Sequence, residues 1–234
     1  MFGPVATTQF DLRFRLFGIP VHVTPWFWAA GVFLAWDLVS ERRIDLLALW
    51  LFALFVSILV HEYGHAFCAE LFGCYPEIYL YHFGGLAVFQ PNSRFSTWRS
   101  IIVSFAGPFA GFLLFGVILV VAMFVASSDW LRHLDPQWQD RVGFFILQME
   151  YINLSWGLVN LLPVLPLDGG RISESLLIRF RRRDGQRLAI LISAIVAGAV
   201  AAVFATRLHD NYAAMFFAIM CITNIQALQQ FRRY

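Results

Sequence analysis

The chain has 234 residues, of which 59% are hydrophobic, 17% aromatic and only 14% charged, whereas a soluble domain carries about a quarter charged residues. Twenty-five Phe and eight Trp would make a surface too apolar for water, and the mean hydropathy of +0.67 marks a polytopic membrane protein. Seventeen cations, all Arg, against fifteen carboxylates leave +2; this lacks the basic excess of a nucleic-acid binder, and the hydrophobicity excludes disorder.

Taken in chain order, apolar runs predict about six spanning helices, near residues 21–39, 45–72, 100–126, 142–162, 188–206 and 212–230, each near the ~20 residues a bilayer requires. Asn224 and Gln226 interrupt the last. No internal repeat or linker divides the chain, so one transmembrane domain over 1–234 is expected, with no cleavable signal, inserted domain or appended domain. Cys68, Cys74 and Cys221 form no disulfide framework. With six spans, Arg13, Arg15, Arg94, Arg99, the group from Arg171 to Arg187, Arg232 and Arg233 share one side, and Arg42, Arg43, Arg132, Arg141 and Arg207 the other. Twelve against five places both termini in the cytoplasm. Trp26, Trp28, Trp130 and Trp138 read as interfacial residues.

Between the second and third runs, Ile78–Phe89 has aromatic and β-branched residues on both sides of Gly84-Gly85. That is the pattern of a β-hairpin. It is too apolar for a free loop and is expected to enter the membrane edge, shielded by protein.

The second run ends Val60-His-Glu-Tyr-Gly-His-Ala66. His61 and His65, four apart, share a helix face and can bind one zinc ion. Glu62 points about 100° away, where it can serve as a general base without being a ligand. Counted from Asp45, His61 lies about 24 Å along the helix, within the hydrocarbon layer. Three ionisable groups there are costly unless paired, so metal accounts for them better than two packing histidines and a snorkelling Glu. A third ligand is needed. The segment Asn160-Leu-Leu-Pro-Val-Leu-Pro-Leu-Asp168-Gly-Gly-Arg171 returns to the same side. Pro163 and Pro166 break the helix there, and Gly169 and Gly170 are expected to turn the chain so that Asp168 faces inward. An Asp-Gly-Gly after a helix is otherwise a cap or turn.

These motifs resemble the site-2 protease family of intramembrane zinc metalloproteases. His61-Glu62-x-x-His65 resembles its first motif and Asn160-x-x-Pro163-x-x-x-Leu167-Asp168-Gly169 its second. Gly18-Ile19-Pro20, Ala69, Gly73, Phe83-Gly84-Gly85 and Ala106-Gly107-Pro108 are similar as well, so the resemblance runs from about 18 to 171. It implies His61, His65 and Asp168 as ligands of one Zn²⁺, Glu62 as general base, and Asn160 as a hydrogen-bonding group near the substrate or the zinc-bound water. The family often carries Asn shortly after the Gly-Pro of the third span. Here Phe109-Ala110-Gly111 follows, and Gly107 with Gly111 reads as a helix-packing face.

The expected activity is hydrolysis of a peptide bond in or near the transmembrane segment of a membrane-anchored protein, in the cytoplasmic membrane of a prokaryote. An unwound substrate segment is expected to add to the hairpin as a strand at Gly84 and Gly85; otherwise the hairpin only plugs the bundle. Glu150, mid-span, and His82, in the hairpin, are weaker candidates for gating or substrate contact. A metal transporter and an inactive membrane scaffold compete with this reading. The transporter would spread its histidines and carboxylates along the bundle axis, and the scaffold would tolerate loss of Glu62 or a ligand. Substrate, trigger and oligomeric state are not legible.

Overall fold

The computed structural model describes residues 8–82, 84–91, 95–128, 133–181 and 183–231. Phe83, Arg94, Trp130, Arg132, Arg182, Arg232 and Arg233, named above, lie outside the described residues.

The chain opens with β1 (Leu12–Leu16) and β2 (Ile19–Val23). Two short helices follow, α1 (Pro25–Leu34) and α2 (Trp36–Ser40), then the long α3 (Ile44–Leu71). The hairpin strands are β3 (Glu77–Tyr81) and β4 (Gly84–Val88). Next come α4 (Thr97–Ser127), α5 (Pro136–Asn160), α6 (Asp168–Phe180), α7 (Gly185–Val203) with a π-helical extension Phe204–Leu208, and α8 (Asn211–Phe231). Among the described residues, five helical stretches are long and apolar enough to cross a membrane: Ile44–Leu71, Thr97–Ser127, Pro136–Asn160, Gly185–Leu208 and Asn211–Gln230.

The first expected span is the one that differs. Residues 21–39 divide between a strand and two short helices. In β2 alternate residues Ile19, Val21 and Val23 are buried, the period of a strand with one face on a core. Pro25, at the first helical position, starts α1. Ala35, at φ −110° and ψ 33°, ends it. Ten residues reach only about 15 Å, half a hydrocarbon layer. A hydropathy window merges these pieces because all of them are apolar.

The hairpin is half of a larger sheet, ordered β1-β2-β3-β4. β1 and β2 are antiparallel, β2 and β3 parallel, and β3 and β4 antiparallel. Two residues, 82 and 83, separate the hairpin strands, with Tyr81 opposite Gly84 and Leu80 opposite Gly85. The glycine pair thus begins a strand instead of making the turn.

By contact the chain forms two compact units, residues 1–93 with 106–157 and residues 94–105 with 158–234. In the first, Ile19, Val21, Val23, Ile78, Leu80 and Ala87 of the sheet pack with Phe27 of α1 and Ile58, Leu59 and Ala66 of α3. Tyr63 donates to the Leu16 carbonyl at 2.9 Å, which ties β1 to the His-bearing end of α3. At the other end, Arg141 donates to Asp45 at 2.9 Å and Arg43 to Asp140 at 2.6 Å, joining the starts of α3 and α5. In the second unit, Val164, Leu167, Ala197 and Phe217 form the core, built from the α5–α6 loop, α7 and α8.

Candidate metal centre

On α3, His61 is 2% exposed, Glu62 4% and His65 7%. The Nε2 atoms of His61 and His65 stand 3.2 Å apart, with their rings inclined at 80°. Two imidazole nitrogens bound about 2.0–2.1 Å from one tetrahedral zinc would be roughly 3.3 Å apart. The observed separation therefore fits a shared ion. It follows from the i,i+4 spacing, which stacks the two rings on one face.

The surroundings of these side chains are made of glycine. At Gly107 of α4, a Cβ would overlap Nε2 of His65. At Gly85 of β4, it would overlap the Glu62 side chain and come within 2.5 Å of its Oε1. Gly84, at φ +112°, lies flat against Trp156, whose Cζ2 would be 2.7 Å from an added Cβ. Gly64 of α3 meets the Ala106 carbonyl and the Ala110 side chain, so α3 and α4 approach backbone to backbone through small residues. The close contact of α4 with α3 is thus made by Ala106 and Ala110, while Gly107 makes the room that His65 occupies and Gly111 faces Asn153 with ordinary spacing.

One turn before His61, Ser57 accepts a hydrogen bond from Asn153 Nδ2 at 2.9 Å, and the same amide donates to the Met149 carbonyl at 2.7 Å. Ser57 and Asn153 are each 2% exposed. Asn153 is therefore engaged with α3 and its own helix, while Glu150, the candidate three residues earlier, is only half-buried.

In the second unit, Asn160 ends α5 and Asp168 begins α6, both buried. Asp168 sits in the first turn, where the exposed N–H groups of the helix favour a carboxylate. Between them, Pro163 and Pro166 prevent continuation of α5. Leu167 N–H donates to the Val164 carbonyl at 2.8 Å and Arg171 N–H to the Leu167 carbonyl at 3.0 Å, so the loop leads directly into α6. Gly169 and Gly170 are helical residues and do not make the sharp turn that their type predicts. They allow close approach instead: a Cβ on Gly169 would overlap the Leu161 carbonyl, and one on Gly170 would lie 2.5 Å from Leu165 N.

His61 and His65 of the first unit and Asp168 of the second are all buried, and each is of a residue type that binds metal ions. Two nitrogens and one carboxylate oxygen are a donor set that suits zinc. The other contributors were not legible as site residues. Trp156 carries no chemical signal of its own, and Gly107 signals helix packing without revealing the room it leaves for His65.

Comparison with known proteins agrees with this geometry. Residues 49–205 match the model of peptidase family M50, and the chain belongs to that family. It is 32% identical over 192 residues to a zinc metalloprotease homologue of Synechocystis sp., covering 77% of this chain and 47% of that protein. It is 29% identical over 166 residues to a zinc metalloprotease of Methanocaldococcus jannaschii, covering 70% and 44%. Similarity to stage IV sporulation protein FB of Bacillus subtilis is 29% over 155 residues, covering 66% and 46%. The chain thus spans about half the length of these curated relatives. Its fold is that of the site-2 protease from M. jannaschii, with a TM-score of 0.63 at 23% identity over 94% of this chain and 95% of that one.

Proposed function

We propose that the chain is an intramembrane zinc metalloprotease that cuts a peptide bond in or beside the transmembrane segment of a membrane-anchored protein, with residues 1–234 acting as one protease domain. The observation that carries this reading is the 3.2 Å approach of the His61 and His65 nitrogens on an apolar helix, with Glu62 beside them.

His61, His65 and Asp168 would hold one Zn²⁺, which supplies Lewis acidity to a carbonyl and lowers the pKa of water. The histidines act as neutral imidazoles, and the carboxylate of Asp168 offsets part of the ion's charge. Glu62 takes the proton of the attacking water and returns it to the departing amine nitrogen as the carbon–nitrogen bond breaks. Gly85 against Glu62 limits the rotamers of the carboxylate and so aims it. Asn160, buried at the end of α5, supplies a hydrogen bond to the substrate.

A substrate helix must unwind before its peptide bonds can be reached. β4 is the terminal strand of the sheet, and a terminal strand offers unpaired backbone groups to an extended chain. The substrate segment adds there, beside Gly84 and Gly85. Because β2 pairs with β3 in one sheet, the N-terminal strands lie on the same side as the hairpin although α1 is short, and with the four long helices that follow the Arg distribution supports cytoplasmic termini in a prokaryotic inner membrane. The compact histidine pair argues against a transport path, and the presence of Glu62 beside it argues against an inactive scaffold.

The test is incubation of the zinc-loaded protein in detergent with a pool of single-span membrane peptides, with fragments identified by mass spectrometry. Cleavage that stops with chelator and is absent in Glu62→Gln is expected. Cleavage that survives either change, or none by the zinc-loaded wild type, would contradict the reading.

A further inference from the structure

Leu165 lies between the two prolines of the α5–α6 loop, and both of its backbone polar groups are held by side chains from other helices. Its N–H donates to Ser193 Oγ of α7 at 3.0 Å. Its carbonyl accepts from Asn224 Nδ2 of α8 at 2.8 Å. Ser193 also reaches the Pro163 carbonyl at 3.4 Å, so its single hydroxyl bridges two loop residues.

Ser193 is 0% exposed and Asn224 5%, each within an apolar helix long enough to span a membrane. Polar side chains there are costly unless they find partners. Asn224 also donates to the Met220 carbonyl of its own helix at 2.8 Å, which fixes the amide in one orientation. Interhelical packing alone would be served as well by Leu or Ala. What the polar atoms add is a fixed position for Leu165.

From Leu165 the restraint passes along a short stretch of backbone. Val164, 0% exposed, accepts from Leu167 N–H, and Leu167 precedes Asp168 at the start of α6. Gly170, one turn into α6, packs on the backbone of Val164 and Leu165. A shift of Leu165 therefore carries the first turn of α6 and the Asp168 carboxylate with it.

We infer that Ser193 and Asn224 are positioning residues that fix the Asp168 carboxylate for metal binding through Leu165. The inference rests on Asp168 being a ligand. Groups that orient metal ligands from behind typically account for 10–100-fold in metal affinity. The experiment measures zinc affinity by chelator competition, and the absorption spectrum of the cobalt-substituted protein, for wild type, Asn224→Leu, Asn224→Gln, Ser193→Ala and Asp168→Ala. Circular dichroism of the metal-free proteins checks the fold.

Asn224→Leu and Ser193→Ala should each weaken zinc binding about tenfold or more and alter the cobalt spectrum, with helical content unchanged. Asn224→Gln, which keeps the donor, should recover part of the loss. If Asn224→Leu fails to fold, Ser193→Ala decides alone, since removing one oxygen leaves the packing in place. Zinc affinity within twofold of wild type in Ser193→Ala, while Asp168→Ala loses the metal, would overturn the inference and leave Asp168 a ligand. Retention of zinc in Asp168→Ala would overturn both.

Discussion

The histidine-bearing end of α3 and the loop that leads to Asp168 at the start of α6 position their side chains by opposite means. On α3, the geometry comes from a regular 28-residue helix, and the sequence spacing alone brings the two nitrogens to 3.2 Å. In the loop, the chain has no regular periodicity between Asn160 and Asp168, and side chains 28 and 59 residues away hold Leu165. The first arrangement is set by local spacing and needs from elsewhere only the room that Gly107 leaves for His65, whereas the second depends on α7 and α8 keeping their polar atoms. The glycines differ likewise. Gly85 and Gly107 leave space for functional side chains, while Gly169 and Gly170 let backbone meet backbone.

Four substitutions break this comparison at different points. Glu62→Gln removes the base and keeps the shape, and should lower cleavage by about 10²–10⁴-fold with zinc content unchanged, read by initial rates and metal analysis. Gly85→Val drives side-chain atoms into Glu62 and should cost up to about 10²-fold in cleavage, the scale of an angstrom-sized misplacement, again with zinc retained. Simultaneous loss of zinc would show that β4 supports the ligands and not the base. Gly107→Ala presses on His65 Nε2 and should weaken zinc binding by about 10–100-fold, as for other disturbances behind a ligand. Chelator competition reads it, and unchanged affinity would mean that His65 has room to move. Asn153→Leu should do least, since hydrogen bonds between membrane helices average about 0.6 kcal/mol. A thermal unfolding shift of a few degrees, with zinc affinity intact, is expected.

The parts of the molecule legible in the sequence are those set by short-range spacing. The approach of His61 to His65 follows from helical spacing, and the break between Asn160 and Asp168 follows from Pro163 and Pro166. The five long spans follow from apolar length. Residues 21–39 read as one span because strand, break and short helix are equally apolar, and the alternate burial of Ile19, Val21 and Val23 is what distinguishes the strand. Gly84-Gly85 carries a turn signal, yet side chains there would collide with Trp156 and Glu62, which shows what the pair leaves room for. Asn224 reads as a flaw in an apolar helix until the Leu165 carbonyl is seen 2.8 Å from its amide.

Zinc content of the purified protein tests the central claim most directly, compared among wild type, Glu62→Gln and Asp168→Ala. About one zinc per chain is expected in the first two, as His61, His65 and Asp168 would hold one ion between them, with clear loss in Asp168→Ala. A wild type that binds no zinc when it is supplied, or an Asp168→Ala protein that keeps its full complement, would contradict it.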